Sequence, residues 1–259
     1  MVRLYMIICI GFVLLQSCSV KEDRSRCPCW MRIYVTKTEI PISVQNNENI
    51  ILRMRGNSNP TSDARQFQIT QSISIGSENL EYEVPRGHVR VTAANQARPN
   101  IPVGEQMDSL YGFFKMFDTR CESSLCKIKL HKEFCTLSFV FGGTIYQPPY
   151  KIEVHSNVNG VSEWDLLPLE GKFKFAPTLD NGTYSVRVPR QIDNSMEILL
   201  LYKDEIVERL PIGEYIARSG YDWSAESLSD IHLKLDLESL TVMVSVSDWG
   251  EVIIMEIVI

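Results

Sequence analysis

The chain has 259 residues, 44% hydrophobic and 22% charged, an ordinary globular composition with enough apolar material for one large or two modest cores. Its formal net charge of −6 leaves no basic field to condense on phosphate, which argues against nucleic acid as a partner.

The first 17 residues carry one base, Arg3, ahead of an apolar run from Met6 to Leu15. That run is far shorter than the roughly 20 residues a membrane-crossing helix needs. A short positive head, a short apolar middle and a small residue before a processing site describe a secretory signal over residues 1–17. Leu15-Gln16-Ser17-Cys18 then reads as a lipobox, so cleavage leaves Cys18 as the acylated first residue of the mature chain. Each buried methylene contributes about 0.8 kcal/mol and a second acyl chain makes anchoring stable, so Cys18 is the predicted membrane anchor. Residues 18–28 are the tether. Within it Lys21, Glu22 and Asp23 resemble the export signal of Bacteroidota surface lipoproteins, which implies the outer face of the outer membrane.

Seven cysteines are present, and setting aside Cys9 in the signal and Cys18 for lipid leaves Cys27, Cys29, Cys121, Cys126 and Cys135. Five is an odd number for an exported chain, so at least one thiol stays unpaired or pairs outside it. Redox pairs place two residues between their thiols at a helix N-terminus, whereas Cys27-Pro28-Cys29 has one and no helix follows. A zinc site wants a second closely spaced pair, and Cys121 and Cys126 form no knuckle. The five are read as disulfide or structural cysteines, with no metal and no cofactor.

From Cys29 onward the period is that of strands. Met31, Ile33 and Val35 alternate with polar neighbours, as do Phe67, Ile69, Ile73 and Ile75, which places one face of each strand in a core. Leu80 to Val84 and then Val89, Val91 and Ala93 repeat the pattern around Pro85-Arg86-Gly87, predicting an antiparallel hairpin there. Asn95 to Ser109 reads as a long loop with Pro99 and Pro102, and Glu105 to Leu110 could hold a helical turn. Lys127 to Phe141 opens a second domain. Its further strands are Tyr150 to Val154, Phe173 with Phe175, Tyr184 to Val188, Ile198 to Tyr202, Ile231 to Leu237 and Val242 to Val246. Turns are predicted at Asn157 to Gly160, Asp180 to Gly182 and Gly220, and Met196 to Leu210 could include a helical turn. Strands with frequent turns and no sustained helical period give an all-β fold of antiparallel sandwiches, residues 29–126 and 127–259.

Chemistry-bearing motifs are missing. His88, His131, His155 and His232 each fall in register with the polar face of a strand, so they read as solvated strand residues. No HExxH, Gly-x-Ser-x-Gly or phosphate-cradling glycine loop occurs, and no catalytic residue is assigned.

Ile212-Gly213-Glu214-Tyr215-Ile216, Tyr221-Asp222-Trp223, the strand Ile231 to Leu237 and the strand Val242 to Val246 closing on Ser247-Asp248-Trp249 resemble the end of the FimB/Mfa-type fimbrial anchor and assembly family of Bacteroidota. Cys18 with Glu22-Asp23-Arg24 and Cys27-Pro28 resembles that family's mature N-terminus, and Lys127 to Phe141 the strand that opens its second domain. The resemblance implies two tandem transthyretin-like antiparallel β-sandwiches. It also implies a lipid-anchored minor subunit that fixes a type V pilus to the outer membrane, with a pilin or other fimbrial subunit as partner, paired through β-strands. Trp249 is expected to close a core, and the apolar tail Glu251 to Ile259 to pair internally rather than be donated. The competing reading is a surface binding module for glycan or host protein on the same fold.

Overall fold

The computed structural model describes residues 29–36, 41, 49–58, 67–76, 80–95, 105–142, 150–236, 241–246 and 257–258. The signal segment, Cys18, Lys21, Glu22, Asp23, Cys27, Trp249 and most of the Asn95 to Ser109 loop lie outside these residues.

The first sandwich contains β1 (Cys29–Val35), β2 (Asn49–Ser58), β3 (Phe67–Ser74), β4 (Leu80–Val84), β5 (Gly87–Ala94), β6 (Tyr111–Asp118), β7 (Ser123–Ile128) and β8 (His131–Lys132). One sheet runs β4-β1-β7 and the other β3-β2-β5-β6-β8. Alternation decides which side chains meet between them: Met31, Ile33 and Val35 of β1 are fully buried with Ile50, Leu52 and Met54 of β2 and Val89 and Val91 of β5. Cys126, Ile128 and Leu130 belong to this same core.

The second sandwich contains β9 (Phe134–Gly142), β10 (Lys151–Val161), β11 (Pro168–Phe175), β12 (Thr178–Asp180), β13 (Thr183–Pro189), β14 (Glu197–Tyr202), β15 (Glu205–Leu210), α1 (Ile212–Arg218), β16 (Ile231–Asp236), β17 (Thr241–Val246) and β18 (Ile257–Val258). Its sheets run β11-β10-β14-β15 and β12-β13-β9-β16-β17-β18. Phe139, Leu137, Phe175, Ile198, Val186 and Leu235 fill the space between them. Met107 and Leu110, at the end of the long loop, are also buried in this second core.

The two sandwiches are one pattern used twice. β1 pairs antiparallel with β4 and parallel with β7, and β9 pairs antiparallel with β13 and parallel with β16. On the facing sheets β2 lies between β3 and β5, with β6 beyond β5, just as β10 lies between β11 and β14, with β15 beyond β14. The expected all-β tandem sandwiches are therefore present, and each contains one parallel pair where only antiparallel pairing was expected.

Several local expectations are corrected. β4 and β5 do not form a hairpin: β4 pairs with β1 while β5 pairs with β2 and β6, so the chain changes sheet at Pro85-Arg86. Thr119 holds that crossing, its amide donating to the Gly87 carbonyl at 2.9 Å and its hydroxyl to the Pro85 carbonyl at 2.7 Å. Asn157 to Gly160 is not a turn but part of β10, which carries register shifts there against β11. Met196 to Leu210 holds no helical turn; it is the β14–β15 hairpin, closed by Lys203 and Asp204 at positive φ. Glu105 to Leu110 is irregular rather than helical, and the helix of the described residues is α1. The predicted turn at Asp180 to Gly182 is present, with Asn181 and Gly182 both at positive φ.

The sandwiches meet through the β10–β11 turn. Leu166 approaches Gly112 so closely that a Cβ there would lie 2.4 Å from its Cδ1. Thr92 donates to the Trp164 carbonyl, Arg53 pairs with Glu163 at 3.6 Å, and Arg55 lies over the Trp164 ring. Tyr111 packs against both cores.

Candidate functional site

The repeated topology makes one difference conspicuous. In the second sandwich the outer edge of β16 is occupied by β17, paired from Ile231↔Val246 to Asp236↔Thr241, and β17 in turn carries β18. Its counterpart β7 in the first sandwich pairs with β1 alone among the described residues. Residues 257 and 258 pair within the chain, the arrangement expected of the terminal segment.

The chemistry of the β7 edge follows from its register. The Trp30 amide donates to the Glu122 carbonyl at 2.9 Å, and Trp30 stands opposite Ser123. In a parallel ladder that phase directs the main-chain groups of alternate residues to the neighbour. Ser124, Cys126 and Ile128 therefore face β1, and the amides and carbonyls of Ser123, Leu125 and Lys127 face outward. Leu125 is 51% exposed and Trp30, on the same outer face of the adjacent strand, is 47% exposed. Among the described residues the edge thus offers the outward amides and carbonyls of Leu125 and Lys127 without a strand partner, beside two uncovered apolar side chains, while the Ser123 carbonyl accepts from the Cys121 thiol.

Four of the sequence-selected cysteines can be placed, all as free thiols. Cys29 is buried at the start of β1, with its sulfur 3.8 Å from the Ser124 hydroxyl, and Cys121 is exposed in the turn before β7. Burial pushes the Cys126 and Cys135 thiols up to about 12, which keeps both protonated and inert. They lie in different cores.

The histidines only partly match their reading. His88 and His232 are exposed, and His232 bonds to the Ser138 hydroxyl. His131 is a correction: its side chain is 12% exposed and sits 3.1 Å from Glu226, because β8 is covered by the 222–230 segment. His155 is half-buried against Glu153 at 3.0 Å. No group of three or more potential metal ligands converges among the described residues.

Residues in the recognisable C-terminal motifs turn out to build the second core. Gly213 is required because a Cβ there would lie 2.3 Å from the Asn194 carbonyl oxygen. Tyr221 donates to the Ser229 carbonyl at 2.7 Å and meets the Trp223 ring edge-on at 4.7 Å. Arg190, which sequence reasoning missed, ties this segment down: it donates to the Trp223 and Ala225 carbonyls and, at 2.9 Å, to Glu133. No local motif surrounds Arg190, since its partners lie 33 to 57 residues away.

A shallow groove of about 310 Å³ lies over β9, β16 and β17, lined by Ser138, His232, Lys234 and Met243. Phe139, the phenylalanine in its lining, is 1% exposed.

No family model and no curated protein matches the chain. Solved structures do. A candidate polysaccharide-binding protein from Bacteroides thetaiotaomicron superimposes with a TM-score of 0.57 at 15% identity, covering 88% of this chain and 98% of that one. The chain shares its fold. The fimbrial anchor protein Mfa2 from Porphyromonas gingivalis has a TM-score of 0.55 at 10% identity over 86% of this chain and 98% of its own. A candidate adhesin from Bacteroides ovatus gives 0.54 at 11% identity over 92% and 97%. Nearly the whole of each neighbour is matched, so the two sandwiches correspond together rather than one alone.

Proposed function

We propose that the protein is a lipid-anchored anchor or assembly subunit of a type V-like fimbria, held at the outer membrane through Cys18 and joined to a pilin by β-strand pairing. The observation that carries this reading is the β7 edge: its counterpart β16 is capped by β17, whereas β7 pairs only with β1 among the described residues. A pilin strand laid along Ser123 to Ile128 would complete the first sandwich as β17 completes the second. Main-chain hydrogen bonds would supply affinity, and Trp30 and Leu125 would supply apolar contact. The fold shared with a fimbrial anchor protein supports the same reading, as do the lipobox and the Lys21-Glu22-Asp23 signal.

Proline in β7 tests it. Leu125→Pro removes an outward amide while leaving the β1 ladder intact, since proline is tolerated where its missing N–H faces away from the pairing strand. Co-purification with the pilin should fall at least tenfold, with a melting temperature close to the parent's. Undiminished pilin recovery with a folded Leu125→Pro protein would exclude this edge as the acceptor.

A further inference from the structure

Two cysteines distant in sequence lie on adjoining main-chain segments at the entrance to the first sandwich. Cys29 begins β1, and its neighbour Trp30 is bonded to the Glu122 carbonyl. Cys121 immediately precedes Glu122, and its thiol donates to the Ser123 carbonyl at 3.0 Å. The main chains are thus pinned side by side, and the two thiols lie against consecutive residues of β7: the Cys29 sulfur is 3.8 Å from the Ser124 hydroxyl and the Cys121 sulfur 3.0 Å from the Ser123 carbonyl. Burial, opposed by the Ser124 hydroxyl and reinforced by Cys121, keeps the Cys29 thiol protonated. Cys121 is exposed, so one member of the pair is open to an external reagent and the other is shielded. Cys126 points into the core on the inner face of β7, and Cys135 lies in the other sandwich.

We propose that Cys29 and Cys121 are a disulfide pair, closed by exchange with an external disulfide. The exposed Cys121 thiolate attacks one sulfur of that disulfide, forming a mixed disulfide and releasing one thiolate. Cys29 then loses its proton to solvent and attacks the Cys121 sulfur, and the second external thiolate leaves. Two protein thiols are oxidised to one disulfide, and the external disulfide is reduced to two thiols. The bond closes the chain from residue 29 to residue 121. It clamps the base of the tether to the turn that leads into β7, at the end where β1 and β7 begin to pair. Its value as a load-bearing clasp between anchor and strand edge rests on the proposed function; the bond itself does not.

Peptide mapping of the full-length lipoprotein, incubated with oxidised glutathione, alkylated and digested with trypsin without reduction, decides it. Cleavage after Arg26, Arg32, Arg120 and Lys127 yields peptides 27–32 and 121–127. The expected product is these two peptides joined, two hydrogens lighter than the separate thiols, with fragment ions assigning the link to Cys29 and Cys121. Reduction should lower the melting temperature by roughly 5–10 °C, and Cys121→Ser should abolish both the linked peptide and that shift. Recovery of Cys29 and Cys121 both alkylated, or a link assigned to Cys27 or Cys126, would overturn the pairing. Pilin recovery by the Leu125→Pro protein is a separate readout, so the two ideas fail independently.

Discussion

At the scale of single residues, buried charge is handled by pairing. Glu153 is 3% exposed, with Lys174 at 2.6 Å, Lys151 at 3.0 Å and His155 at 3.0 Å. Burial alone would raise its pKa, but the close Lys174, His155 and Lys151 partners outweigh it and hold the carboxyl at about 2. A carboxylate lowered from about 4.3 in the unfolded chain stabilises the fold above that value and loses its contribution as pH falls toward 2. The urea midpoint of the parent should therefore fall between pH 5 and 2, and that of Glu153→Gln should fall less steeply. Glu133 presents the opposite balance, with burial raising its pKa against the opposing Arg190 charge. Arg190→Ala strands that carboxylate and frees two carbonyls, which should cost about 3 kcal/mol in urea unfolding. Arg190→Lys should not restore it, because an ammonium lacks the planar fork that reaches all three acceptors.

Elements are placed by contacts that the local sequence signals only weakly. Helix α1 is seven residues long with no side-chain N-cap, too short to persist by propensity alone. It is held by Ile212, Tyr215 and Ile216 in the second core and by the Gly213 amide bonded to the Met196 carbonyl at 2.8 Å. Gly213→Ala drives a methyl group into the Asn194 backbone, which cannot rotate away as a side chain would. We expect a loss of about 2 kcal/mol, seen as a drop of roughly 4–8 °C in melting temperature. The strands were legible from their alternation, because a half-buried strand must repeat every two residues. The pairing of β4 and β5 was not, because a short turn with proline looks alike whether the next strand joins the same sheet or crosses to the other.

For the molecule as a whole, the repeated topology divides labour between two sandwiches of the same plan. The second carries the added strands β17 and β18, while the first begins at Cys29 with β1 and presents β7. This arrangement puts the proposed membrane attachment and the proposed partner edge on one sandwich, with β1 linking them. Cys18→Ala should move the protein from the membrane fraction to the soluble fraction in cell fractionation. Retention in the membrane fraction would sink the lipid-anchor reading.

What the sequence determined by itself was the class of fold and the division of the chain into strands. Those follow from local rules: Met31, Ile33 and Val35 share a face whatever lies opposite. Only the tertiary structure decided which strands are neighbours, that Arg190 joins Glu133 to the 222–229 segment, and that the chain at Cys29 runs beside the turn that carries Cys121. Each of these brings together residues tens of positions apart, and a contact of that kind is set by how two sheets close over a common core rather than by any spacing along the chain.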